Sequence, residues 1–365
     1  MKLVNNIIKC VATGLLAAAA LTACSEWTNP EPVDFHYVSI QEKNPELYQA
    51  YLQSLRDYRS SEHKIVVAKF NNKTGAPSGR ADHLTCLPDS VDYIIFKNAL
   101  SVDDEYVKPE MAIAREQKGQ KILYEIDYSA IVAAYKEYKV AWEEEHQPAE
   151  GEDANPADEA MSLDEYVSQS VAIQVKHLDT YGYDGLNIVA SFKNPVSCNE
   201  EQLEALKASQ EAFFGDIASL ISSHKDMLVF FEGTPHYLVC HEDIVDNCDY
   251  IIIPAESATN SYECTYELEL MMRYANIPTD RFILGVTTKS LADPSLKAGS
   301  FSGTDRQGNA KTAIIGGAEW VAADYADVVK AGLCINNAEN DYFNLNKVYY
   351  NIREAISIMN PSPIK

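Results

Sequence analysis

The chain has 365 residues, 46% of them hydrophobic and 23% charged, proportions of an ordinary folded protein that exclude wholesale disorder. Its 30 Lys and Arg against 54 Asp and Glu give a formal net charge of −24. A field of that sign repels nucleic acid and anionic membrane surfaces, so neither is an expected partner.

In chain order, Lys2 and Lys9 precede an apolar run from Val11 to Ala23, too short to span a bilayer and of the kind that forms the core of a secretory signal. The run ends in Leu21-Thr22-Ala23-Cys24, which resembles the bacterial lipobox. That likeness implies a signal peptide over 1–23 and lipidation of Cys24, which becomes the mature N-terminus. Residues 24–34, Pro-rich and polar, read as a flexible tether. The folded body is then 35–365, held to the membrane through its lipid anchor only. Phe35 to Arg59, with LYQAYLQSLRDYR, predicts one helix ahead of the first strand, packed over an end of the fold.

Eight short runs rich in β-branched and aromatic residues follow: KIVVAKF from Lys64, VDYIIFK from Val91, KILYEID from Lys121, YDGLNIVAS from Tyr183, DMLVFFEG from Asp226, CDYIIIPA from Cys248, RFILGVTT from Arg281 and GLCINNA from Gly332. Amphipathic stretches such as Asn199 to His224 and Thr265 to Asn276 lie between them. Nearly all-apolar strands alternating with helices predict an α/β fold with a parallel sheet, and eight repeats predict closure into a single-domain (β/α)8 TIM barrel. An open doubly wound sheet is the alternative, but no G-x-G-x-x-G or P-loop follows the first strand. No cofactor is expected.

Ala141 to Ala160 concentrates carboxylates with Pro and Gly and reads as a solvated insertion; it lacks the spacing of a calcium loop. Six cysteines remain beyond Cys24, and Cys240 and Cys248 are near enough in sequence to pair, with buried free thiols as the alternative. No C-x-x-C occurs and His is not grouped with Cys at ligand spacing, so no metal site is expected.

In a barrel of this kind, function collects where the C-terminal strand ends meet. Asn98, Asp127, Tyr128, Asn187, Ser191, Phe192, Glu232, His236, Glu256, Glu339, Asn340 and Tyr342 fall at or beside those ends and are the candidate ligand-binding residues. As a group they describe a hydrogen-bonding mouth. Trp320, in a helical stretch before the last strand, reads as core.

The fourth run adds a specific likeness. Tyr183-Asp184-Gly185-Leu186 and the residues after it resemble the strand-four signature of glycoside hydrolase family 18, the chitinases and endo-β-N-acetylglucosaminidases, written D-G-x-D-x-D-x-E. Where the family has its second and third Asp and its Glu, this chain has Asn187, Val189 and Ser191. A period of two puts those three positions on one face, the barrel interior. In the family the Glu protonates the glycosidic oxygen and the Asp before it orients the substrate N-acetyl group, which is the nucleophile. A serine hydroxyl cannot replace that acid, and loss of a positioned acid costs on the order of 10² to 10⁴ in rate. No catalytic residue is therefore assigned.

With the lipobox, the chain resembles family-18-like glycan-binding lipoproteins that work beside outer-membrane glycan importers in polysaccharide-utilisation systems. The resemblance implies an N-acetylglucosamine-containing oligosaccharide of N-glycan type as ligand, an importer complex as partner, and a lipid-anchored outer-membrane location. Two other functions remain open: a glycosidase whose acid comes from Glu232, Glu256 or Glu339, and a scaffold or adhesin that binds through its loops.

Overall fold

Each of the eight sequence-predicted strand runs forms a strand in the computed structural model: β1 (Ile65–Phe70), β2 (Tyr93–Phe96), β3 (Lys121–Asp127), β4 (Gly185–Ala190), β5 (Leu228–Gly233), β6 (Tyr250–Pro254), β7 (Phe282–Thr287) and, after a hairpin of β8 (Ser300–Thr304) and β9 (Ala310–Thr312), β10 (Lys330–Asn336). All but the hairpin strands close into a parallel barrel in the order β1-β10-β7-β6-β5-β4-β3-β2. The structure describes residues 40–361 except 74, 101, 103, 104, 147–158, 275, 276, 345 and 346. The signal peptide, Cys24 and the tether lie outside the described residues, as does most of the acidic stretch. Among the described residues no helix is long and apolar enough to cross a membrane.

Strand periodicity divides the core in two. Ile65, Val67, Ile95, Leu123, Phe230, Ile252, Ile283 and Cys334 point inward and fill the barrel, while Val66, Ala68, Ile94, Ile122, Leu186 and Ile188 point outward beneath the helices. Burial on both faces is why these strands are apolar throughout rather than alternating.

The helices are α1 (Ile40–Lys43), α2 (Pro45–Ser60), α3 (Val107–Ala112), α4 (Tyr128–Glu145), α5 (Leu163–Gln174), α6 (His177–Tyr181), α7 (Glu200–Ser223), α8 (Asp243–Asn247), α9 (Ser261–Met271), α10 (Ala313–Ala322) and α11 (Tyr350–Met359). Two compact units are distinguished, Met1–Tyr51 and Leu52–Lys365. In the first, the expected single helix is two, parted at Asn44, whose side chain accepts the Leu47 N–H (3.1 Å). In the second, which holds the barrel, Arg59 donates to the carbonyls of Asp89, Val91 and Lys118, just ahead of β2 and β3. That places the end of α2 at the N-terminal rim.

Three sequence readings are corrected. The acidic insertion starts later than expected, because α4 continues through Glu145 and takes up its first five residues, 141–145. The β8–β9 hairpin was not foreseen; it packs Phe301 against α10 at Gly316, where a Cβ would meet the ring at 2.2 Å. Cys240 and Cys248 are free thiols, bonded to Gln210 Oε1 and the Val245 carbonyl respectively. Trp320 is core, 6% exposed, with Nε1 donating to Thr265 Oγ1 (2.9 Å).

Candidate functional site

At the C-terminal end of the barrel the inward positions change from apolar to charged one step above the core. On β1 the inward series is Ile65, Val67, Lys69; on β3 it is Leu123, Glu125, Asp127; on β5 it ends in Glu232. β3 and β5 flank β4, whose inward Asn187 is fully buried.

The four side chains interlock. Lys69 Nζ lies 2.5 Å from Glu125 Oε2 and 2.8 Å from Glu232 Oε2. Asn187 Nδ2 donates to Glu232 Oε2 (2.8 Å) and Glu125 Oε2 (3.3 Å), tying the same two carboxylates together from β4. Burial works against the Lys69 charge, but Glu232 and Glu125 outweigh it and hold the ammonium well above the ordinary lysine range. Burial, reinforced by the neighbouring Glu232 charge, raises Glu125 despite the pull of Lys69. Glu256, past the end of β6, is raised to about 7, first by burial and then by Glu232.

The β4 column is neutral, yet its surroundings are not: Lys69 and the two glutamates supply the charge from β1, β3 and β5. Sequence reading missed Lys69 and Glu125. The available signal was a charged residue at an inward position of an otherwise apolar strand, where only a paired ion is tolerated.

Above this floor opens a cavity of about 420 Å³, lined among others by Lys97, Asp127, Val189, Ser191, Glu232 and Glu256. Two cavities adjoin it. One of about 470 Å³ shares Ser191 and Phe192 and reaches Tyr128; the other, about 720 Å³, shares Lys97, Glu125 and Asp127 and reaches Asn98. The Tyr128 and Phe192 rings pack at 4.3 Å between centroids, tilted by 34°, with Phe192 largely buried against Phe213 and Phe214.

Of the candidates, Asp127, Ser191, Phe192, Glu232 and Glu256 are brought together around the central cavity, with Asn187 beneath. Some have structural duties as well. Asp127 caps α4, its Oδ1 accepting from Ser129 N–H (2.8 Å), and the Asn98 backbone is clasped by the Asn72 side chain at 3.1 and 2.7 Å. His236, Glu339, Asn340 and Tyr342 line none of the three cavities. His236 packs on Tyr237, Glu339 accepts from Asn71 N–H (3.3 Å), Asn340 donates to Thr288 Oγ1 (3.2 Å), and Tyr342 meets Phe343 and Tyr349.

The part of the β4 signature that matches is structural. Asp184 accepts from Arg115 Nε (2.7 Å), Lys121 Nζ (3.1 Å) and the Ile122 N–H (2.9 Å), at the N-terminal end of the strands. Tyr183 donates to the Ala99 carbonyl (2.9 Å), and a Cβ on Gly185 would stand 2.1 Å from the Leu228 carbonyl oxygen. What differs from the signature is the half that faces the mouth. Ser191 offers no acid there, Lys69 is committed to two carboxylates, and the remaining groups offer hydrogen-bond donors and acceptors to the cavity.

Comparisons with known proteins bear on the family and the fold. A family model described as "Glycoside hydrolase family 18, BT1044-like" matches residues 28–358. A solved structure of selenomethionine BT1044 with a glutamate-to-glutamine substitution superposes with a TM-score of 0.59 at 15% identity, covering 88% of this chain and 95% of that one. The Ostrinia furnacalis Group IV chitinase gives 0.49 at 12% identity, covering 81% and 99%. The PelA glycoside hydrolase domain of Pseudomonas aeruginosa gives 0.40 at 11%, covering 78% and 98%. Among curated proteins there is no match.

Proposed function

The chain belongs to glycoside hydrolase family 18, in its BT1044-like group, and from that premise we propose that it is a non-catalytic glycan-binding lipoprotein. It holds an N-acetylglucosamine-containing oligosaccharide of N-glycan type across the barrel mouth. The observation that carries this reading is the inward face of β4, where Asn187, Val189 and Ser191 stand in place of the family's carboxylates while an open, polar cavity remains above them. Hydrogen bonds between the sugar and Lys97, Asp127, Ser191, Glu232 and Glu256 would orient it, the carboxylates accepting from its hydroxyls. Anchored through Cys24, the protein would hand its ligand to an outer-membrane importer.

The test is a glycan array of the body from residue 25 onward, followed by calorimetry and product analysis with N-glycans and chitooligosaccharides. Binding without products is expected. An array without hits would remove the glycan reading and leave the scaffold, and protease treatment of intact cells reports whether the body is surface-exposed.

A second reading is favoured by one observation. Glu256, whose carboxyl is raised to about 7 by burial and then by Glu232, lines the central cavity together with Glu232, as a glycosidase acid and a second carboxylate would. Turnover that disappears in Glu256→Gln would establish that reading and overturn the first.

A further inference from the structure

Gln210 and Glu211 of α7, with residues 237–241 after β5, form a second polar constellation. Gln210 is fully buried and fixes the loop: its Nε2 donates to the Tyr237 carbonyl (2.9 Å), and its Oε1 accepts from the Val239 N–H (2.8 Å) and the Cys240 thiol (3.6 Å). One residue further along α7, Glu211 Oε2 lies 2.9 Å from His241 Nε2. His241 has a φ of 55°, a left-handed conformation that is strained for a residue with a β-carbon. Successive side chains of an extended segment point to opposite sides, whereas here Cys240 and His241 both reach α7. The donor atoms of Glu211, Cys240 and His241 lie within 4.8 Å of one another, the one such group among the described residues. Thirty residues separate the helical and loop contributions, so the expectation of no His and Cys at ligand spacing could not detect it.

We propose that Glu211, Cys240 and His241 form a three-ligand site for a borderline divalent transition metal, zinc above all, with a fourth position open to water. The donor set of one sulfur, one imidazole nitrogen and one carboxylate oxygen suits zinc and is unsuited to calcium or magnesium, which take oxygen ligands. Tetrahedral zinc, about 2.0–2.3 Å from its donors, sets them about 3.3–3.8 Å apart. Rotation of side chains that are half-buried or exposed closes the remaining gap, because Gln210 already fixes the backbone of the loop. On binding, the Cys240 S–H bond breaks, a sulfur–metal bond forms, and the proton passes to solvent. The loop also carries Tyr237, a wall of the central cavity, so a bound ion would stiffen one side of the mouth.

Cobalt titration of the full chain tests this. A thiolate-to-cobalt charge-transfer band saturating at one equivalent and bleached by zinc is the expected result. Cys240→Ser should abolish the band and Cys198→Ser, at another half-exposed thiol, should leave it. His241→Asn, which tolerates the left-handed backbone, should weaken zinc binding at least tenfold and provides a second ligand deletion if Cys240→Ser fails to fold. No band at saturating cobalt, or a band that survives Cys240→Ser, would overturn the proposal.

Discussion

At the floor of the mouth one ammonium, Lys69, answers two carboxylates, and Glu256 faces the same cavity with no paired cation among the described residues. Its carboxyl is raised from 4.5 to about 7 by burial and by Glu232. Between those values the folded chain keeps a proton that the unfolded chain has lost. Stability therefore falls as pH rises through that window, and the loss is complete above about pH 7. Glu256→Gln removes the titration. It should match the parent near pH 4 and exceed it by about 3 kcal/mol near pH 8 in urea denaturation. An equal difference at both pH values would mean that the carboxyl is not desolvated. Lys69 and Glu125 teach the complementary lesson. Their importance comes from meeting across three strands, and a one-dimensional reading registers each only as an isolated charge in an apolar run.

The β4 strand shows why a half-matched motif can mislead. Tyr183, Asp184 and Gly185 serve the barrel itself: a ring between Phe96 and Tyr124, an acceptor for three donors, and a position with no room for a Cβ. Burial opposes ionisation of Asp184, but the Ile122 N–H, Arg115 and Lys121 outweigh it and hold the carboxyl below its ordinary value. A depressed carboxyl stabilises the fold above its unfolded pKa of 3.8, and that contribution is lost as pH falls through the folded value. Asp184→Asn should therefore cost about 2 kcal/mol at neutral pH, allowing for partial exposure, with the cost shrinking below about pH 3.8 and, if the mouth binds glycans, with their affinity unchanged. Reduced affinity at full stability would tie this end of β4 to the site after all. The β8–β9 hairpin illustrates the opposite failure. Its strands are largely exposed, so no apolar alternation announces them, and only Phe301 commits to the core.

For the whole molecule, the barrel was legible because eight doubly buried strands each leave a continuous apolar run, whereas the site was legible only by position. Strand ends can be located from sequence, but which of them converge depends on closure and on loops that draw Glu339, Asn340 and Tyr342 into contacts of their own. Charge operates at this scale too. The central cavity presents Glu125, Asp127, Glu232 and Glu256 against Lys69 and Lys97, within a chain of net charge −24. Neither local nor overall charge favours an anionic ligand. If the mouth binds glycans, a neutral chitooligosaccharide or asialo N-glycan should bind with an affinity nearly independent of salt. A sialylated N-glycan of the same core should bind about tenfold more weakly at low ionic strength, because roughly 1.4 kcal/mol of repulsion is what a charge or two at these distances supplies. Raising the salt shortens the Debye length to about 3 Å at 1 M and should narrow the gap from the sialylated side alone. Calorimetry of the two ligands across a salt series measures both slopes. A sialylated ligand that binds more tightly, and loosens with salt, would place Lys97 rather than the carboxylates in control of the mouth.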